Sequence, residues 1–180
     1  MIFSNIIGRY LPGKGIHIYM QAIAELNCNN CSFEIIGKQE STEVAYLQKL
    51  QEIQSTKLIQ KDFIDDISLY YDKIDVVVHT ATKPDALPTV LIEGLAKGKI
   101  LLAADVAGGV REIVDVDYGN LIIPPGNIEA LKTAILTIAA YDAQKIEEIR
   151  QRNIACARER FSLVNQVHLV EEIYKDLHTL

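Results

Sequence analysis

The chain has 180 residues, a hydrophobic fraction of 49%, a charged fraction of 23% and a formal net charge of −6. That suits one domain with a substantial core, and the negative balance excludes nucleic acid as the main partner, because such binding rests on many cationic contacts to phosphate. No apolar run approaches the roughly 20 residues that span a bilayer, and no basic start with an apolar core marks a signal peptide, so the protein is expected to be soluble and cytoplasmic.

Residues 2–7 form the first β-branched run and read as a strand. The stretch Gly8-Arg9-Tyr10-Leu11-Pro12-Gly13-Lys14-Gly15 follows as a loop. Its glycines permit tight turning and close backbone approach. Arg9 and Lys14 add two cations beside a helix N-terminus, an arrangement suited to a diphosphate. It is neither a Walker A loop nor a dinucleotide fingerprint, and a solvent-exposed turn with incidental charges fits the loop alone nearly as well. Ile16, Met20, Ile23 and Leu26 then share one helical face.

Cys28 and Cys31 sit in the expected helix-to-strand turn. With Cys156 they make no disulfide framework, and without a second ligand pair they make no zinc site; two reduced thiols are expected. Further strands are read at residues 33–36, 57–59, 75–78, 100–103 and 121–123, several of them apolar at every position, as in strands buried on both faces of a parallel sheet. A second helix carries Val44, Leu47, Leu50 and Ile53, and a later one Leu131, Ile135 and Ile138. The alternation predicts a Rossmann-like, doubly wound α/β domain of about six parallel strands.

Such sheets bind ligands at the carboxyl ends of their strands, and two further loops there carry unusual residues. After the fourth strand comes a segment holding Asp85, Leu87, Pro88, Thr89 and Val90, then a helix with Glu93 about one turn inside. Pro88 suits a first helical turn, and free amides around residues 87–90 would face an anion. Carboxylates accept pairs of sugar hydroxyls, although an Asp85 cap and a solvated Glu93 satisfy the same spacing. After the fifth strand, Gly108 and Gly109 again permit close backbone approach, or form a simple turn. The chain ends in a charged helix over residues 142–160 and a second from about Leu163, with Val164, Val167, Val170, Tyr174 and Leu177 on one stripe. These helices either close over the sheet or pack on something outside the chain.

In this order and spacing, the three loops resemble the C-terminal domain of the retaining GT-B glycosyltransferases known as glycosyl transferases group 1. Gly8, Arg9, Lys14 and Gly15 match the family's Gly-Arg-x-x-x-x-Lys-Gly stretch. Asp85 through Glu93-Gly94-Leu95-Ala96-Lys97-Gly98 matches its Glu-x7-Glu motif and the helix that follows. Residues 108–114 match Gly-Gly-x-x-Glu-Ile-Val, and residues 119–126 match a later strand ending in Pro-Pro-Gly. The resemblance covers essentially the whole chain.

It implies that Arg9 and Lys14 neutralise the donor diphosphate where other enzymes use a divalent ion, so neither metal nor cofactor is expected. It implies that Asp85 contacts the transferred sugar, Glu93 the ribose hydroxyls, and the backbone amides of the Leu87 to Val90 stretch (Leu87, Thr89 and Val90, with Pro88 setting the turn) the phosphate region. Gly8 and Gly15 frame the diphosphate loop, while the base lies near Gly37, Phe63 and Ile64. Two positions depart from the family: Asp85 replaces a glutamate, and Gly37-Lys38-Gln39 replaces a Gly-x-Gly.

The implied activity is hexose transfer from a UDP- or GDP-sugar to a glycan or lipid acceptor, with retention. Residues 1–180 form the donor domain, with sheet and helices over 1–140 and C-terminal helices over 141–180. The last helix would cross to an N-terminal acceptor domain or subunit, through which the protein would also touch a membrane peripherally. The chain is expected to be a fragment lacking that domain and inactive alone. A non-catalytic nucleotide-sugar-binding module and an epimerase-like GT-B enzyme are the alternatives. Arg9, Lys14 and Glu93 together disfavour the first, and the cationic loop with the Asp85–Glu93 spacing disfavours the second.

Overall fold

The computed structural model describes residues 1–38, 44–53 and 55–178, apart from the side chains of residues 6–9 and 176–178. Gln39, and the side chains of Arg9 and Leu177, therefore lie outside the described residues.

Six parallel strands form one sheet: β1 (Ile2–Arg9), β2 (Ser32–Lys38), β3 (Leu58–Lys61), β4 (Val76–His79), β5 (Ile100–Ala104) and β6 (Leu121–Ile123), in the order β3-β2-β1-β4-β5-β6. Strand interiors such as Val76, Val77, Val78 and Ile100, Leu101, Leu102 are buried throughout because helices cover both faces. One face packs Phe3, Ile35 and Leu102 against α1 (Ile16–Glu25), α2 (Val44–Glu52) and α6 (Ile128–Ala139). The other packs Val77 and Leu101 against α3 (Ile67–Tyr71), α4 (Thr89–Ala96), α5 (Val110–Ile113) and α7 (Ala143–Arg160). The expected doubly wound fold is present. α3 has only five residues, too few for an apolar stripe to be read, so the sequence did not reveal it.

Strand order reverses between β1 and β4, whose helices leave toward opposite faces. That divergence opens a crevice at their carboxyl ends.

Asp142 caps α7 by accepting a hydrogen bond from Lys145 N at 2.8 Å. The helix lies over α4, held by a buried amide pair. Asn153 donates to the Lys99 carbonyl at 2.8 Å and Asn120 accepts from Leu101 N at 2.9 Å, while the two amides bond to each other. α8 (Leu163–His178) differs, because Leu163, Val164, Val167, Val170 and Ile173 stay largely exposed. Of the two expected fates for the final helices, α7 closes over the sheet and α8 leaves its apolar stripe at the surface.

Cys28 and Cys31 correct the sequence reading: they form a disulfide across the turn between α1 and β2, with Cα atoms 5.5 Å apart. The tight turn brings the two thiols together, which composition and motif counting could not show. Cys156 is free and buried. Among the described residues, no helix is long and apolar enough to cross a membrane.

Candidate functional site

β1 runs two residues further than its apolar pattern suggested, so Gly8 and Arg9 end the strand rather than open the loop, with Gly8 paired to Gly37 of β2. A single 3-10 turn at Pro12–Lys14 then delivers the chain to α1, with Gly15 as its cap. Gly15 has φ of 67°, and a Cβ there would stand 1.8 Å from the Thr80 carbonyl oxygen. Only glycine fits so close an approach. The contact laces the first loop to the end of β4. Thr82 N donates to Gly13 O at 2.9 Å, the Thr80 hydroxyl donates to Lys14 O at 3.1 Å, and buried Asn5 Nδ2 donates to the same hydroxyl at 2.8 Å.

The lacing puts Lys14 beside Asp85, 71 positions away, with Nζ 3.1 Å from Oδ2. His79, the last residue of β4, places Nε2 3.5 Å from that same oxygen. The Lys14, Asp85 and His79 side chains are 40%, 19% and 6% exposed, so the ammonium retains freedom while the imidazole is locked in. Burial pushes the Asp85 carboxyl upward, but the Lys14 ammonium and His79 more than offset this and hold it below the usual carboxylate value. For His79 burial prevails over the pull of Asp85, and the imidazole stays below its ordinary value.

Asp85 caps nothing. The N-cap of α4 is Pro88, which offers no side-chain bond, so Pro88 stands just before the first turn rather than within it. Instead, the Asp85 backbone joins the loop after β5: its N–H donates to Ala107 O at 3.0 Å and its carbonyl accepts from Gly109 N at 3.2 Å. A Cβ on Gly108 would lie 2.0 Å from the Asp85 carbonyl oxygen. The backbone approach that the paired glycines permit is thus made to Asp85.

These residues enclose a cleft of about 130 Å³, lined also by Leu87, Pro88, Thr89 and Val90 at the start of α4. First-turn amides have no intrahelical acceptor and carry the positive end of the helix dipole. The cleft therefore combines a mobile cation, an ionised carboxylate, a neutral imidazole and two hydrogen-bonding side chains, a set suited to phosphate and hydroxyl groups together.

Glu93 lies one turn further on, outside that lining, and accepts a hydrogen bond from the Tyr71 hydroxyl at 2.9 Å. Burial, with the adjacent Glu93 charge, holds that hydroxyl well above the ordinary phenol value, so it remains a donor. The Tyr71 hydroxyl also lies 3.2 Å from the Val90 carbonyl, and the adjacent Tyr70 bonds to Ser4 at 2.8 Å and to buried Glu34, which also pairs with Lys61 at 2.7 Å.

Gly37 borders a separate cleft of about 210 Å³ with Gln60, Lys61 and Asp62. Phe63 and Ile64 follow directly but do not line it; Phe63 is 57% exposed, and Ile64 packs on the core. His79, Thr80, Asn5 and Tyr71 were not picked out as site residues from sequence. Only the polar His-Thr ending of an otherwise apolar β4 offered a signal.

Residues 3–160 match the family model described as glycosyl transferases group 1. The chain belongs to that family. An uncharacterized glycosyltransferase of Methanocaldococcus jannaschii is 24% identical over 176 residues, covering 97% of this chain and 48% of that protein. The chain thus spans about half the length of the curated relative it matches. Among solved structures, Anabaena HepE in complex with UDP-glucose superposes with a TM-score of 0.82 at 27% identity, over 99% of this chain and 49% of that one. A C-terminal domain of a glycosyl transferase group 1 protein from Francisella tularensis shares the fold at 17% identity, with a TM-score of 0.77 over 89% and 86% of the two chains. Members of the family with this architecture place such a sheet, with its two final helices, as the C-terminal half of the GT-B fold.

Proposed function

We propose that this chain is the donor-binding domain of a retaining hexosyltransferase that takes a UDP- or GDP-sugar and serves a glycan or lipid acceptor in the cytoplasm. The observation that carries this reading is the Lys14–Asp85 pair at the strand-order reversal, facing the first amides of α4. Lys14, with Arg9 at the end of β1, neutralises the diphosphate without a metal ion. The leaving nucleoside diphosphate gains negative charge as the glycosidic bond breaks, so these cations act more strongly in the transition state than on bound substrate. Thr89 and Val90 at the helix start add dipole donors. Asp85 accepts sugar hydroxyls through the oxygen that Lys14 and His79 leave free, and Glu93, oriented by Tyr71, accepts from the ribose. The base rests in the cleft bordered by Gly37, Gln60, Lys61 and Asp62, with Phe63 and Ile64 next along the chain.

The acceptor half is a second α/β domain or subunit, toward which α8 projects. The exposed Val164, Val167 and Val170 stripe supports that role, since contiguous apolar surface of this kind marks a docking face. In this reading the acceptor site belongs to that second half, and sugar transfer requires both halves.

Calorimetric titration of UDP, GDP and ADP tests the reading. Saturable binding of UDP or GDP, weakened by Lys14→Ala, is expected. Absence of binding even at millimolar nucleotide, with no effect of the substitution, overturns it.

A further inference from the structure

We propose that His79 is a positioning residue of the donor site: its Nε2–H holds the Asp85 carboxylate for the transferred sugar once Lys14 turns to the diphosphate. This rests on the donor-site reading above.

Three features of the geometry point to it. First, Lys14 and His79 converge on one oxygen, Asp85 Oδ2, at 3.1 and 3.5 Å. A diphosphate in the cleft competes for the ammonium, which sits on a flexible, half-exposed stem. The imidazole cannot follow, because it ends a buried strand and is 6% exposed. Second, His79 Nδ1 is buried with no hydrogen-bond partner among the described residues. A proton at Nδ1 would be a buried donor without an acceptor, whereas a proton at Nε2 meets Asp85, so the hydrogen-bond inventory assigns the Nε2–H tautomer. Burial keeps the ring neutral in that form. Third, the Asp85 backbone is pinned on both sides by Ala107 and Gly109. With only two side-chain torsions left, one fixed donor suffices to orient the carboxylate. The 3.5 Å contact is long while Lys14 shares the oxygen, and it shortens as the carboxylate is released toward the ring.

The division of labour gives a specific signature. Lys14 acts on the phosphates and is felt by any nucleoside diphosphate. His79 acts through Asp85 and is felt mainly by ligands that carry the sugar.

The test compares wild type, His79→Leu, His79→Asn and His79→Gln. Each is titrated with UDP and UDP-glucose, and with GDP and GDP-glucose, and the readout is the ratio of Kd for the free diphosphate to Kd for its sugar conjugate. Gln can place an N–H where Nε2 stands, whereas Asn reaches only the Nδ1 position. His79→Leu and His79→Asn should lower the ratio about tenfold, the size of one hydrogen bond to a charged group, and His79→Gln should restore it to within about threefold of wild type, a gap of well under one such bond. Thermal melting of each variant checks that it folds. An unchanged ratio in all variants, or a loss in His79→Gln equal to that in His79→Leu, overturns the proposal. If neither diphosphate binds wild type, the donor-site reading itself falls, an outcome distinguished by the absence of any isotherm.

Discussion

Lys14→Ala separates structural from ligand-binding roles at the centre of the site. The 3.1 Å pair with Asp85 is open to solvent on the lysine side, where 40% of the side chain is exposed. Solvent screening and side-chain entropy limit such a pair to at most about 1 kcal/mol, equivalent to about 2–4 °C in Tm for a domain of this size. Against a bound diphosphate the same ammonium makes a charge-assisted hydrogen bond of about 1.5–3 kcal/mol. Its removal also leaves Asp85 uncompensated beside an anion. Affinity for UDP or GDP should therefore fall about 10- to 100-fold, while Tm barely moves. Adding Asp85→Asn to Lys14→Ala should recover part of the loss, because the repulsive charge disappears with the attractive one, and a double-mutant cycle isolates the coupling. Calorimetry at low and high salt should show the deficit shrinking as ions screen the site. The reasoning is refuted if Lys14→Ala binds diphosphate like wild type but melts more than about 5 °C lower, beyond what one exposed ion pair supplies.

Glu93→Ala should cost more affinity for nucleotides with both ribose hydroxyls than for 2′-deoxy analogues, and Tyr71→Phe should cost less in the same direction; equal losses for both ligands would sink the ribose assignment. Gly15→Ala should destabilise the fold by at least about 2 kcal/mol, since left-handed backbone costs an alanine 1–2 kcal/mol and its Cβ would stand 1.8 Å from Thr80 O. Denaturant midpoints read this, and a wild-type midpoint would contradict the lacing of the two loops. Stability should also decline with acid below about pH 6.5, the ordinary imidazole value. There the unfolded chain protonates His79 while the folded chain still refuses the proton. The unfolded state thus binds more protons between about pH 6.5 and the folded value, so stability falls as pH drops through that window and the contribution is complete only above about pH 6.5. His79→Gln should flatten this part of the profile, with His17, whose imidazole is likewise lowered by burial and Lys49, supplying the remainder. An identical slope in that variant would show that His79 does not titrate as its burial demands.

Several residues singled out along the chain meet in one cleft. Lys14, Asp85 and the start of α4 were singled out by glycine, proline and charge in loops that follow strands, and given roles only by the family resemblance. Glu93 was found as a carboxylate one turn into that helix, but its partner was not, since Tyr71 looked like any core aromatic in a segment too short for helical periodicity. Of the residues expected near the base, Gly37 borders a cleft with Gln60, Lys61 and Asp62, while Phe63 and Ile64 lie outside its lining.

By itself the sequence determined the alternation of strands and helices, the doubly wound class and the family, because periodicity, buried aliphatic runs and motif spacing are local properties of the chain. Tertiary structure decided which ends meet. The reversal of strand order between β1 and β4 brings Lys14 against Asp85 and Asn5 against Thr80, and the Gly108 approach pins the Asp85 backbone from a third loop. It also brought His79, the last residue of an apolar strand, within 3.5 Å of the site's carboxylate, and joined Cys28 to Cys31. Those contacts depend on how distant segments pack, and no spacing within a single segment encodes them.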